Sequence, residues 1–111
     1  MRTDAGRACT AEEFDRALSV LSNARAAFEI AMAGFDVLLM PSAPGEAPQG
    51  LESTGNPVFN RLGTALRVPC LNVPGLKGAS GMPVGMQLIG RRNDDQRVLA
   101  AGDWLFRILN P

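Results

Sequence analysis

The sequence predicts an α/β chain, and three observations carry that prediction. A stripe of apolar residues recurs at helical spacing over residues 10–34, short apolar runs near 37–40, 69–74 and 83–91 are bounded by proline and glycine, and a second helical pattern spans 94–109. At 111 residues there is room for one domain. Hydrophobic residues make up 46% and charged residues 20%, which places the chain among globular and not disordered sequences.

The first helix begins at a capping box. In Thr10-Ala11-Glu12-Glu13 the Thr10 hydroxyl is placed to accept from the Glu13 amide, while the Glu13 carboxylate reaches back. Behind it Phe14, Leu18, Leu21, Phe28, Met32 and Phe35 keep helical spacing, and Ala17, Ala24 and Ala31 share their face. Arg25 interrupts the stripe and is expected to snorkel at its edge. Gly34 is the expected terminator.

Val37-Leu38-Leu39-Met40 follows without alternation, which predicts a strand buried on both faces, as in a parallel sheet. Pro41 ends it. Residues 41–57 then mix Pro41, Pro44, Pro48 and Pro57 with Gly45, Gly50 and Gly55, so no helix survives there. A connection of this length is either a functional segment or a solvated surface loop. Phe59, Leu62 and Leu66 predict a short helix over 58–66, with Gly63 a weak point.

Pro69 to Pro74 reads as a strand and Gly75 to Gly81 as a hairpin-type loop, too short for a crossover helix. The next strand, Pro83 to Arg91, therefore runs antiparallel to it. Val84, Met86 and Leu88 point one way and Gly85, Gln87 and Ile89 the other. Asn93-Asp94-Asp95-Gln96 predicts a second capping box. The apolar face of the last helix holds Val98, Ala101, Leu105 and Ile108, with Trp104 beside it and an Asp103–Arg107 pair on the outside. Two long helices and three strands do not cover both faces and edges of such a sheet. The pattern reads as one side of a larger α/β protein.

The inventory removes whole mechanisms. Lys plus Arg equals Asp plus Glu at 11 each, so no nucleic-acid footprint is visible. There is no His, so neither a Ser-His-Asp triad nor a His-ligated metal can be built from this chain. Cys9 and Cys70 are too few for a zinc site, and nothing in their spacing suggests a disulfide. Cys70, flanked by Pro69 and Leu71, reads as a buried small hydrophobe. No apolar run approaches the ~18 residues of a membrane span, and Met1 to Gly6 lacks a signal-peptide core. The expected compartment is the cytoplasm, with no membrane association.

Four segments carry a resemblance. Phe35-Asp36-Val37-Leu38-Leu39-Met40-Pro41-Ser42-Ala43-Pro44, Phe59-Asn60-Arg61-Leu62-Gly63-Thr64, Val68-Pro69-Cys70-Leu71-Asn72-Val73-Pro74-Gly75 and Met82-Pro83-Val84-Gly85-Met86-Gln87-Leu88-Ile89-Gly90-Arg91 stand in the order and spacing of the amidase signature family. The chain resembles the C-terminal part of that family over residues 10 to 109. Met82 stands where Leu is usual, and Gly63 where an aromatic residue is common.

The resemblance implies the C-terminal portion of an α/β/α mixed-sheet fold, an incomplete segment spanning 1–111 with its loop at 41–57. It implies hydrolysis of a small-molecule carboxylic amide by a Ser-Ser-Lys arrangement passing through an acyl-enzyme, without cofactor or metal. The catalytic lysine and serines of the family lie upstream of the matched region, so none is carried by this chain. Lys77, the only lysine, and Ser80 read as turn residues.

The expected partner is the N-terminal part of an amidase that completes the fold. The substrate-pocket candidates are Pro41 and Ser42, at the end of the first strand, and Phe59 and Asn60 after the loop. Asn60 has a competing role as a loop cross-link. Asn72 and Gln87, polar within apolar strands, are expected to tie neighbouring strands or loops by hydrogen bonds. Two further readings stand beside the amidase segment. One is a non-catalytic binding or assembly module; the other is a protein completing an amidase in trans, or the tail of the A-type component of a tRNA-dependent amidotransferase.

Overall fold

The computed structural model describes residues 2–111. Met1, where the targeting reading begins, lies outside the described residues. The elements follow in the order α1 (Arg2–Ala8), α2 (Ala11–Ala31), β1 (Leu38–Pro41), α3 (Val58–Leu66), β2 (Cys70–Lys77), β3 (Pro83–Ile89) and α4 (Asp95–Leu109).

The capping box at the start of α2 forms as read. Thr10 Oγ1 accepts from the Glu13 amide at 3.2 Å, and Glu13 Oε2 accepts from the Thr10 amide at 2.8 Å. The Thr10 amide and, at 3.0 Å, the Thr10 hydroxyl both donate to Glu13 Oε2 and hold that carboxyl below its ordinary value. The helix ends at Ala31, three residues short of Gly34, because the chain leaves through a turn in which Phe35 bonds back to the Met32 carbonyl at 3.1 Å. The capping box expected at 93–96 is absent. The side chain of Asp94, the N-cap of α4, caps no amide; its carboxylate takes Arg97 Nε instead, at 2.8 Å. Arg97 also binds Asp36 at 2.6 Å, tying the entry of β1 to the first turn of α4.

The three strands form one sheet in the order β1-β3-β2, with both pairings antiparallel. The hairpin prediction holds, with a shorter loop than expected. A register shift between Pro74 and Leu76 lets β2 run on to Lys77, so residues 78–82 alone make the turn. Pro74 is tolerated because β2 is an edge strand and the proline flanks a bulge.

Register then sorts the side chains. Leu71, Val73, Met86 and Leu88 share one face, and α4 covers it through Val98 and Leu105. This is the core. Gly102 is buried and Ile108 exposed, so the seam of α4 is turned from the expected face, with Gly102 set against Leu71. The Asp103–Arg107 pair forms at 2.8 Å.

The opposite face carries Cys70, Asn72, Gly85, Gln87 and Ile89, and α3 approaches it at Cys70. Gly63 permits that approach, because a Cβ there would collide with Cys70 Sγ. A glycine that looks like a flaw in a helix is thus a packing requirement.

Two expectations about cover are overturned. β1 is not buried on both faces and lies in no parallel pairing: Leu38, Leu39 and Pro41 are exposed, since β3 occupies one edge and no described helix lies over the strand. Nor does α2 spread over the sheet. It packs on α3, has no buried residue, and exposes Phe14, Leu18, Val20 and Ile30. Arg25 does not simply snorkel; its Nε donates to the Ala65 carbonyl at 3.0 Å, in the last turn of α3, where helix carbonyls lack partners.

The result is a slab of 52 × 41 × 17 Å. Its radius of gyration is 16.7 Å, where a compact domain of this length has about 13 Å. It exposes 8258 Å², roughly 2,300 Å² more than a compact monomer of its size.

Candidate functional site

A cleft of about 660 Å³ lies between the Pro/Gly loop and the sheet face that α4 leaves uncovered. Its floor is built from Asn72 of β2 and Gly85 and Gln87 of β3, its rim from Ser42 and Asn60, and its outer wall from loop residues around Glu46 and Pro57. Loop 41–57 is therefore the side of a cavity.

Four hydrogen-bonded ties hold the loop in place. The Ser42 amide donates to the Gly85 carbonyl at 3.1 Å, continuing the β1–β3 pairing beyond Pro41. Ser42 Oγ donates to Asn72 Oδ1. Asn60 Nδ2 reaches the Ser42 carbonyl at 3.4 Å, the cross-link anticipated for it. Farther out, Glu46 Oε1 accepts from the amides of Ser80 and Met82 at 2.8 and 3.1 Å. Partial desolvation would raise the Glu46 carboxyl. Bonds from the Ser80 hydroxyl and from the Met82, Ser80 and Gly81 amides together outweigh it and hold the group below its ordinary value.

Of the four pocket candidates, Ser42 and Asn60 come together in the cleft wall, whereas Pro41 and Phe59 do not line it. Pro41 is exposed at the end of β1, and Phe59 is half-buried on α3. Asn72 meets the expectation of a strand-to-loop tie. Gln87 does not: it is 3% exposed, and its Nε2 makes no close hydrogen bond to a strand or loop, its amide facing the Cys70 thiol on β2 instead. Its Cα partner across the ladder is Asn72, so the two carboxamides stand side by side in the floor. Gly85 makes room there, since a Cβ would strike Asn72 Oδ1. The signal for this floor is present in the sequence, as polar residues at facing positions of a predicted hairpin.

Cys70 is not the buried hydrophobe expected, because it sits on an edge strand and is exposed. Desolvation nonetheless pushes its thiol up, against a smaller opposing effect from the Gln87 amide, which leaves it a poor nucleophile. Cys9 is likewise free and exposed. Lys77 is exposed at the end of β2, and the Ser80 amide is bound to Glu46. Among the described residues no group of His, Cys, Asp and Glu is placed to hold a metal ion, and no helix is long and apolar enough to cross a membrane.

A small antiparallel sheet backed by one helix, with a loop-walled cleft on its other face, makes this a portion of a mixed α/β fold. Comparison with known proteins gives the family. The Amidase family matches residues 2–99, and the chain belongs to it. The A-type component of glutamyl-tRNA(Gln) amidotransferase from Anaeromyxobacter sp. (strain K) is 38% identical over 104 residues, covering 86% of this chain and 21% of that protein. Its counterpart from Rhizorhabdus wittichii is 40% identical over 82 residues, covering 68% of this chain and 17% of its own length. A crystal structure of an amidase superposes with a TM-score of 0.85 at 33% identity, over 96% of this chain and 27% of that one. The chain thus spans about a fifth of the length of the curated relatives it matches.

Proposed function

We propose that the chain is the C-terminal wall of an amide-hydrolysing amidase: it frames one side of the substrate cleft, while the Ser-Ser-Lys chemistry comes from a further amidase segment. The observation that carries this reading is the cleft itself. It opens beyond the carboxyl end of β1, where α/β sheets place ligands, and it is walled by Ser42, Asn60, Asn72 and Gln87. The machinery implied by the family is missing from these residues, with one exposed lysine and a serine tied to Glu46 in its place. Ser42 and Asn60 orient substrate, and Pro41 and Phe59 support them from β1 and α3. The partner is the amidase segment that covers β1 and α2, and the substrate is a small carboxylic amide. The chain acts in the cytoplasm.

A second reading, part of the A-type component of an amidotransferase, is favoured by the names of the relatives at 38% and 40% identity. The test is a chimera in which this chain replaces the matching segment of a family amidase. Retained hydrolysis, with Ser42→Ala and Asn60→Ala raising KM more than they lower kcat, supports the reading. A folded chimera without hydrolysis, or with variants that leave KM unchanged, overturns it.

A further inference from the structure

The sheet has two edges, and they differ. β2 is closed: Pro74 has no amide proton, its carbonyl takes Asn110 Nδ2 at 3.1 Å, and a register shift between Pro74 and Leu76 breaks the regular pairing. β1 is open among the described residues. No charged residue lies from Val37 to Ala43, and the carboxylate of Asp36 before them is held by Arg97. Proline enters only at the last residue of the strand, Pro41.

One bond tells which backbone groups of β1 face outward. The Ser42 amide donates to the Gly85 carbonyl at 3.1 Å, one step beyond the Pro41–Met86 pair. In an antiparallel ladder residues that bond across alternate with residues that do not. Met40 and Leu38 therefore turn their amides and carbonyls toward β3, and Leu39 turns both of its own to the free edge. The Leu39 side chain, 48% exposed, stands on the same face as its ladder partner Leu88.

This edge is complementary to itself. About a two-fold axis normal to the sheet at Leu39, a second β1 sets Leu39 against Leu39 with both hydrogen bonds, Leu38 against Met40 and Val37 against Pro41. Pro41 lacks a donor, so bonds are lost at the ends of the pairing and none at its centre. An axis at Leu38 would instead set the Asp36 carboxylate against the apolar Met40. The pairing also closes on itself, since the resulting six-stranded sheet has a protected β2 at either end. The surface available suffices: the chain exposes roughly 2,300 Å² beyond a compact monomer, against the ~800 Å² each partner gives to a standard interface.

We propose that β1 is a homodimer interface, on which a second copy of this chain adds its own β1 antiparallel, centred on Leu39. The proposal goes beyond the reading above, in which a further amidase segment covers β1: a chain without that segment covers the strand with a copy of itself.

Sedimentation equilibrium of the full chain over a range of concentrations tests this. The expected species is a dimer at twice the chain mass, with nothing larger. Leu39→Lys and Leu39→Glu each set like charges face to face and weaken the dimer at least tenfold. An equimolar mixture of the two variants recovers a mixed dimer, because position 39 meets itself across the axis. Leu39→Pro, which removes only the outward amide proton, also weakens it at least tenfold, and Leu76→Lys on the β2 edge leaves it unchanged. Amide exchange gives a reading free of variants: the Leu39 amide of the unmodified chain is protected in the dimer and exchanges freely on dilution. A chain monomeric at every concentration assigns the edge to a strand of another polypeptide and overturns the proposal. An open-ended oligomer, a dimer with an unprotected Leu39 amide, a dimer that survives Leu39→Lys and Leu39→Pro or is dissociated by Leu76→Lys, or a mixture that stays monomeric overturns it equally.

Discussion

Glu46 Oε1 accepts the amide proton of Ser80 at 2.8 Å, across 34 residues of chain. One carboxylate thereby fastens the middle of the Pro/Gly loop to the turn between β2 and β3, and with it the outer wall of the cleft. Folding lowers the Glu46 pKa, so the tie is fully present above the ordinary glutamate value and is lost as pH falls through the lowered one. The protection of the Ser80 and Met82 amides, relative to their intrinsic exchange rates, is expected to fall, and their chemical shifts to move together, as the solution is acidified. Glu46→Gln removes that pH dependence, and Glu46→Ala loosens the turn at every pH. Amide shifts and protection factors followed by NMR check this; protection that stays constant with pH in the parent chain would count against the tie.

The packing of α3 on β2 yields a second prediction. Gly63→Ala places a methyl group into Cys70 Sγ, and overpacking of this kind costs about 1–3 kcal/mol, set against a gain of up to about 1 kcal/mol in helix propensity. Cys70→Ala removes the obstructing sulfur, so the double variant recovers part of the loss. Urea midpoints of the single and double variants give the coupling, expected between about 0.5 and 3 kcal/mol and favourable. Additive effects would show that the two residues do not touch.

The core prediction contrasts two faces. Leu88→Ala, at a residue buried between β3 and α4, is expected to cost about 2–5 kcal/mol. Ile30→Ser on α2, at a residue 76% exposed, is expected to change stability by less than about 0.5 kcal/mol and to improve solubility. Thermal unfolding and light scattering measure the two effects.

The features legible in the sequence are those set by near neighbours. Thr10 and Glu13 announce their capping box within one turn, and the spacing of Pro69 to Arg91 fixes an antiparallel hairpin because no crossover fits between the strands. Contacts between distant segments leave weaker traces. Gly63 looks like a helix defect until Cys70 is placed beside it. Asp94 looks like a side-chain cap until Arg97, bridging to Asp36, claims its carboxylate. The apolar run of β1 and the stripe of α2 read as buried, because periodicity reports that a face is apolar without reporting what covers it. Within this chain most of those residues face solvent. In the site, Ser42 and Asn60 are legible from the end of β1 and the start of α3, whereas Glu46 carries no local mark. Only the fold brings it to Ser80.

The surface predicts how the isolated chain behaves. It exposes roughly 2,300 Å² more than a compact monomer of its size, well above the ~800 Å² that each partner contributes to a standard interface. Among the described residues β1 has one unpaired edge, and α2 shows Phe14, Leu18, Val20 and Ile30 to solvent. The chain alone is expected to be oligomeric or molten and to become a well-behaved species on co-expression with the remaining part of an amidase. Sedimentation and amide hydrogen exchange test this. A cooperatively unfolding, well-protected monomer would identify an autonomous, non-catalytic module.

The most direct measurement is ammonia release from a simple uncharged amide, by the purified chain and by the chain assembled with a completing amidase segment. The account predicts no turnover by the chain alone and turnover by the assembly. Turnover by the chain alone that Ser80→Ala abolishes, or an assembly that folds and stays inactive, would contradict it.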